Sequence, residues 1–230
     1  MAKFFNSFIP KHISNNTVVR AYEVMRSFNR TFGKKFPINL SENTLKFNMH
    51  AQTVSAHNGY IEDQFRYNDM SYGCVTVKDS ACEVIAVYNA YINLKAQGKL
   101  PADFVIPGFA DLLSYFEKDG MARNGKFGTA PRALVDYFDK QGFDTVFSTK
   151  VSDFAKIAKE YDTLLYMMYN NGEDIMCAIH TVNISKSEAG YTGHNVDLSG
   201  APIGPNPNFM DLISGFNRGK SKSICLLGVK

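Results

Sequence analysis

Apolar and polar positions alternate with two different periods along this chain, helical in its first two-thirds and strand-like in most of its last third. Asn15, Asn16 and Thr17 offer caps for a helix over about 17–31, with Val18, Ala21, Val24, Met25 and Phe28 on one side. The segment GKKFPINLSEN breaks that pattern, and Ser41 is placed to cap a short helix over 42–50. Residues 51–73, rich in polar, Tyr and Gly positions, read as loop. The strongest element follows, in KDSACEVIAVYNAYINLKAQGK (78–99). Ser80 is the predicted N-cap, with Glu83 at capping-box spacing. Val84, Ile85, Val87, Tyr88, Tyr91, Ile92 and Leu94 cover more than one helix face, the mark of a core helix, and Gly98 is its predicted stop.

Further helices are predicted over about 108–118, over APRALVDYFDKQ with Thr129 as cap, and over VSDFAKIAKEYD with Ser152 as cap. Between the last two, FDTVF reads as a short strand. TLLYMMYN (163–170), IMCAIHTVNIS (175–185) and YTGHNVDL (191–198) then read as strands joined by hairpins. A loop, a short helix at 208–217 and a last strand, SICLLGVK, complete the chain. Helices first and a meander of antiparallel strands afterwards define an α+β layout.

The 230 residues suit one large domain with an N-terminal appendage, and 45% hydrophobic content supports a real core. The expected division is 1–60 as a basic arm or cap and 61–230 as the main domain. The net charge of +3 is too small to call for nucleic acid. Residues 1–50 alone carry eight Lys/Arg against Glu23 and Glu42, a local excess best accommodated as a solvated face on the body. Cys74, Cys82, Cys177 and Cys225 form no CxxC pair, so neither a zinc site nor a disulfide framework is expected. MAKFFNSFIPKH lacks the features of a secretory leader, and no apolar run reaches membrane-span length. A cytoplasmic protein with reduced thiols is the expectation. The glycine-rich GMARNGKFG has the wrong order for a phosphate loop.

The candidate chemistry centres on Cys82. In the first turn of its helix it lies near free N–H groups and the positive end of the helix dipole, a placement that lowers a thiol pKa. A buried, inert cysteine is the competing reading. His180 sits in an apolar strand. Across the KSEAG turn, Asn195 and Asp197 share a face of the next strand, and either is a candidate to reach the His180 ring. His194 points the other way and ranks lower. A thiol at a helix start, a strand histidine and an Asn or Asp beyond it form a Cys-His-Asn/Asp arrangement. It activates the thiol as a thiolate–imidazolium pair.

DSACEVIAVYNAYINL resembles the nucleophile segment of papain-like cysteine peptidases, in particular those that cut bacteriocin leaders after a double glycine and their free-standing bacterial relatives. KFGTAPRALVDYFDKQGF and the pair IHTVNI…YTGHNVD resemble that group's later segments in the same order, over roughly residues 64–230. The resemblance implies a papain-like α+β fold. It also implies hydrolysis of a peptide bond in a peptide or protein substrate through Cys82 as nucleophile, His180 as base and acid and Asn195 as orienting residue, with no cofactor or metal. The family's oxyanion glutamine, about six residues before the cysteine, is replaced here by Thr76. Gln64 is the nearest upstream glutamine. The alternatives are another amide hydrolase or acyltransferase of the same chemistry, and an inactive peptide-binding relative.

Overall fold

The computed structural model describes residues 14–33, 40–170, 179–197 and 199–230. The N-terminal region folds as α1 (Asn15–Phe32), α2 (Leu40–Met49) and α3 (Ala51–Ala56). Ser14 caps α1 by accepting from the Thr17 N–H. The inner face of α1 is Val19, Tyr22 and Arg26, whereas Val24 and Phe28 of the predicted stripe are exposed. The rotation has an electrostatic cause. Arg26 is buried, donates to the Asp119 carbonyl at 2.7 Å and pairs with Asp136 at 2.8 Å. The described part of the basic arm therefore lies on the body, and Tyr22 joins the main core.

The stretch read as loop holds α3, a 3₁₀ turn over Gln64–Tyr67 and β1 (Ser71–Tyr72), which pairs in a small ribbon with β2 (Val75–Thr76) just beyond it. Next come α4 (Val77–Ser80) and the central helix α5 (Cys82–Ala96). Ala81 links the two, so Cys82 is the first residue of α5 and Ser80 does not cap it. The Ser80 hydroxyl donates instead to the Gly125 carbonyl at 2.5 Å. Gly98 adopts φ 66° just past the helix, the left-handed stop that its position predicts. Val84, Ile85, Val87 and Leu94 are all fully buried, each contributing roughly 1.5–3 kcal/mol.

Helices α6 (Phe109–Asp119) and α7 (Pro131–Lys140) pack beside α5. The N-cap of α7 is Ala130 rather than Thr129, whose hydroxyl bonds the Tyr72 hydroxyl at 2.5 Å. The remaining elements are β3 (Thr145–Ser148), α8 (Val151–Glu160), β4 (Thr163–Tyr169), β5 (Ile179–Ser187), β6 (Gly190–His194), β7 (Ile203–Asn206), α9 (Phe209–Gly215) and β8 (Lys222–Val229). Lys150 stands at the N-cap of α8, which places the predicted cap Ser152 inside the helix. Residues 175–178 of the predicted histidine strand, with Cys177, lie outside the described residues.

The strands form one antiparallel sheet in the order β3-β8-β4-β5-β6-β7. Strand β4 is buried along its whole length because both sheet faces are covered. Leu165, Leu227 and Val229 face the α5–α7 core, while Leu164, Tyr166, Val182 and Ile184 face α8 and α9. The protein is thus α+β, with helices on both faces of an antiparallel sheet.

One polar residue ties the fold's centre to the site. Asn89, fully buried within α5, accepts from the Ile61 N–H and donates to the Ile61 carbonyl, both at 2.9 Å. Asn89→Ala leaves both Ile61 groups buried without partners, so urea denaturation of the variant shows a loss of about 2–5 kcal/mol.

Candidate active site

A cleft of about 840 Å³ opens where the start of α5 meets the start of β5 and the end of β6. Cys82, His180, Asn195 and Gln64 all line it. None of the described residues before Gln64 does. The size falls within the range of ordinary ligand pockets.

Strand β6 leaves the ladder after the Asn183–His194 pair, while β5 extends three residues further to His180. Asn195 therefore lies beyond the strand, at φ 57°, in the left-handed region that asparagine tolerates better than most residues. The strand alternation expected of Asn195 and Asp197 does not hold. That turn directs the Asn195 backbone carbonyl at the His180 ring, 2.6 Å from Nε2. A carbonyl only accepts, so His180 Nε2 carries the proton, and the neutral ring keeps a bare Nδ1 as its base.

The Asn195 side chain is directed elsewhere. Its Oδ1 accepts from the Gln64 N–H at 3.1 Å and its Nδ2 donates to Gln64 Oε1 at 3.4 Å. Orientation of His180 thus comes from the Asn195 main chain, a correction to the side-chain role expected of it. Asp197 lines the cleft and is exposed, with its carboxylate accepting from the Ser199 N–H at 2.8 Å. His194 does not line the cleft and bonds Glu62 and Ser185.

The two oxyanion candidates separate. Gln64 reaches the cleft through the 3₁₀ turn, but its Nε2 donates to the Val77 and Lys78 carbonyls, both at 2.9 Å, which occupies both of its amide hydrogens. Thr76 is committed to capping α4, its hydroxyl donating to Asp79 at 2.8 Å.

Cys82 has 5% of its surface exposed. Burial, reinforced by the charge of neighbouring Glu83, pushes its thiol well above the ordinary range, against opposing hydrogen bonds from the Thr181 and Glu83 backbones. The helix start alone predicts the opposite direction, and burial wins. Burial likewise lowers the pKa of His180, outweighing the bond to Asn195 that raises it. These two shifts favour a neutral thiol and a neutral imidazole at neutral pH, against the expected thiolate–imidazolium pair.

Glu83 was legible only as a capping residue. It is 1% exposed, and it accepts from the Thr129 N–H at 3.2 Å. Gly128 (φ 71°) passes so close that an added Cβ would stand 2.6 Å from the carboxylate, which is why a glycine is needed there. Burial pushes the Glu83 carboxyl up to about 7, despite hydrogen bonds from its own backbone N–H and that of Thr129. Glu62, equally buried, was missed. Its signal was its place two residues before Gln64 in IEDQ, on the same side of an extended segment.

Among the described residues no group of three or more His, Cys, Asp or Glu is placed to hold a metal ion, and no helix is long and apolar enough to cross a membrane. Comparison with known protein families, with curated proteins and with solved structures finds no match.

Proposed function

We propose that this protein is a papain-like cysteine peptidase that hydrolyses a peptide bond at Cys82. One observation carries the reading. Cys82 and His180 line one cleft, and the His180 ring is held with Nε2–H on the Asn195 carbonyl, leaving Nδ1 as the base. The resemblance of DSACEVIAVYNAYINL and of the ordered later segments to that family supports it.

In the proposed reaction Cys82 Sγ attacks the substrate carbonyl carbon as its proton passes to His180 Nδ1. Both groups start neutral, so proton transfer accompanies attack rather than preceding it. The tetrahedral intermediate collapses to a thioester, and the Nδ1 proton goes to the leaving amine. Water then attacks the thioester, giving its proton to Nδ1. The carboxylic acid leaves, and the returned proton regenerates the thiol. The Cys82 backbone N–H at the start of α5 is one oxyanion donor.

A second reading is a relative that binds peptides without turnover. It is favoured by the raised Cys82 thiol and by the engaged Gln64 amide. A fluorogenic peptide library separates the two. Cleavage by the wild type that disappears in Cys82→Ser, with a trapped acyl group mapped to Cys82 by mass spectrometry, supports the peptidase. Peptide binding without cleavage, unchanged in Cys82→Ser, supports the binding module.

A further inference from the structure

Behind the cleft wall lies a second hydrogen-bonded array. Glu62 is 3% exposed and His194 is 5% exposed. One carboxylate oxygen, Oε1, stands 2.6 Å from His194 Nδ1, and the other, Oε2, accepts from the Asn195 N–H at 2.9 Å. His194 Nε2 lies 2.8 Å from the Ser185 hydroxyl on the neighbouring strand. Tyr60 stacks flat on the His194 ring, centroids 3.9 Å apart and planes 3° from parallel. The order Ser185–His194–Glu62 is that of a hydrolase triad. Ser185, however, sits within β5 with Thr163 and Thr192 as its ladder partners, and its hydroxyl also reaches the Thr192 carbonyl at 3.4 Å. None of the three lines the cleft that holds Cys82 and His180.

Its outlet is Asn195. Each polar group of that residue is assigned: N–H to Glu62, carbonyl to His180 Nε2–H, and both side-chain polar atoms to Gln64. The short segment that supplies Glu62 and Gln64 is anchored on α5 through the paired Ile61–Asn89 bonds. The helix bearing Cys82 and the turn orienting His180 are therefore joined through five consecutive residues, Tyr60 to Gln64.

We infer that the Glu62–His194 pair is the positioning device of the candidate site: it clamps the Asn195 N–H, holds that residue in the left-handed region, and so aims its carbonyl at His180. The inference rests on the peptidase reading for its functional meaning. Its geometric content, that Glu62 determines the His180 tautomer, is independent of turnover. Glu62 and His194 are positioning residues, since both act through Asn195. A left-handed residue at a strand end needs such a clamp because its backbone groups have no ladder partner there.

The experiment is ¹⁵N NMR of the histidine rings in the full chain at neutral pH, with His180 assigned by its loss in His180→Ala. The wild type is expected to show His180 protonated on Nε2 and bare on Nδ1. Glu62→Gln puts an amide where one of two N–H donors must point, and the His180 signal is expected to move to a mixture of tautomers. Glu62→Asp, which keeps the charge, should retain more of the Nε2–H form. Asn195→Gly keeps both the N–H and the carbonyl and permits φ 57°, so it should retain the Nε2–H signature. It also supplies the test if Glu62→Gln does not fold. A folded Glu62→Gln with the wild-type signature overturns the inference, as does loss of the signature in Asn195→Gly. Failure of the peptidase reading looks different: the tautomer behaves as stated, yet no peptide is cleaved.

Discussion

Under the proposed peptidase reading, replacing His180 by alanine is expected to lower the rate of peptide cleavage by ~10²–10⁴-fold, the usual contribution of a positioned general base. Substrate binding is expected to change little, so the loss falls on kcat more than on KM. The pH profile adds a sign. Burial places the His180 pKa below its ordinary 6.5, so the base form is already dominant at neutral pH. Activity is expected to hold through neutrality and to fall as pH drops through that lowered value. The acid limb should vanish in the variant's residual rate. A wild-type limb well above 6.5 would place the working base elsewhere. These measurements also address the resting protonation state, because a preformed thiolate–imidazolium pair would make Cys82 react fast with iodoacetamide well below pH 8. Two neutral partners predict slow alkylation there.

Replacing Glu83 by glutamine is expected to change both stability and thiol chemistry. The folded carboxyl titrates at about 7, against 4.5 for the ordinary group. A raised folded pKa means that the native state binds the proton more tightly than the unfolded chain. The contribution is therefore fully favourable below pH 4.5 and is lost as pH rises through about 7. The difference amounts to about 3 kcal/mol, at 1.36 kcal/mol for each pKa unit. Urea unfolding of the two proteins should show a constant offset below pH 4.5. Above it, the difference should drift in favour of Glu83→Gln until about pH 7 and then level off. The glutamine amide oxygen can still accept from the Thr129 N–H, which keeps the loop attached. The same substitution removes the negative charge beside Cys82, one of the causes of its raised pKa. The midpoint of Cys82 alkylation against pH should move down. An unmoved midpoint would mean that burial alone holds the thiol neutral.

The opposing demands on Cys82 follow from where α5 lies. A helix that is apolar on most faces must sit in the core, and its first residue is carried in with it. The N-terminal dipole acts over one turn, whereas loss of water acts on the whole thiol, and the second is larger.

Most of the element types could be read from the chain because they depend on short-range rules. The period of apolar residues marks α5, α6, α7, α8, β4 and β8, and Gly98 marks a left-handed stop. Three predicted caps, Ser80, Thr129 and Ser152, sit one or two residues from the true helix starts. For Ser80 and Thr129, long-range partners, the Gly125 carbonyl and the Tyr72 hydroxyl, compete with local capping. The same competition turned α1, where a buried Arg26 outweighs the apolar stripe of Val24 and Phe28.

By itself, then, the sequence determined the α+β class, the placement of Cys82 in the first turn of a buried helix, and the candidacy of His180, Asn195 and Gln64, since each follows from residue type and spacing. Only the tertiary structure decided that the Asn195 main chain rather than its side chain faces His180, that Glu62 and His194 stand behind it, and that burial keeps Cys82 neutral. Those outcomes depend on one left-handed residue past the end of β6 and on groups more than 100 positions apart, and no local pattern encodes either.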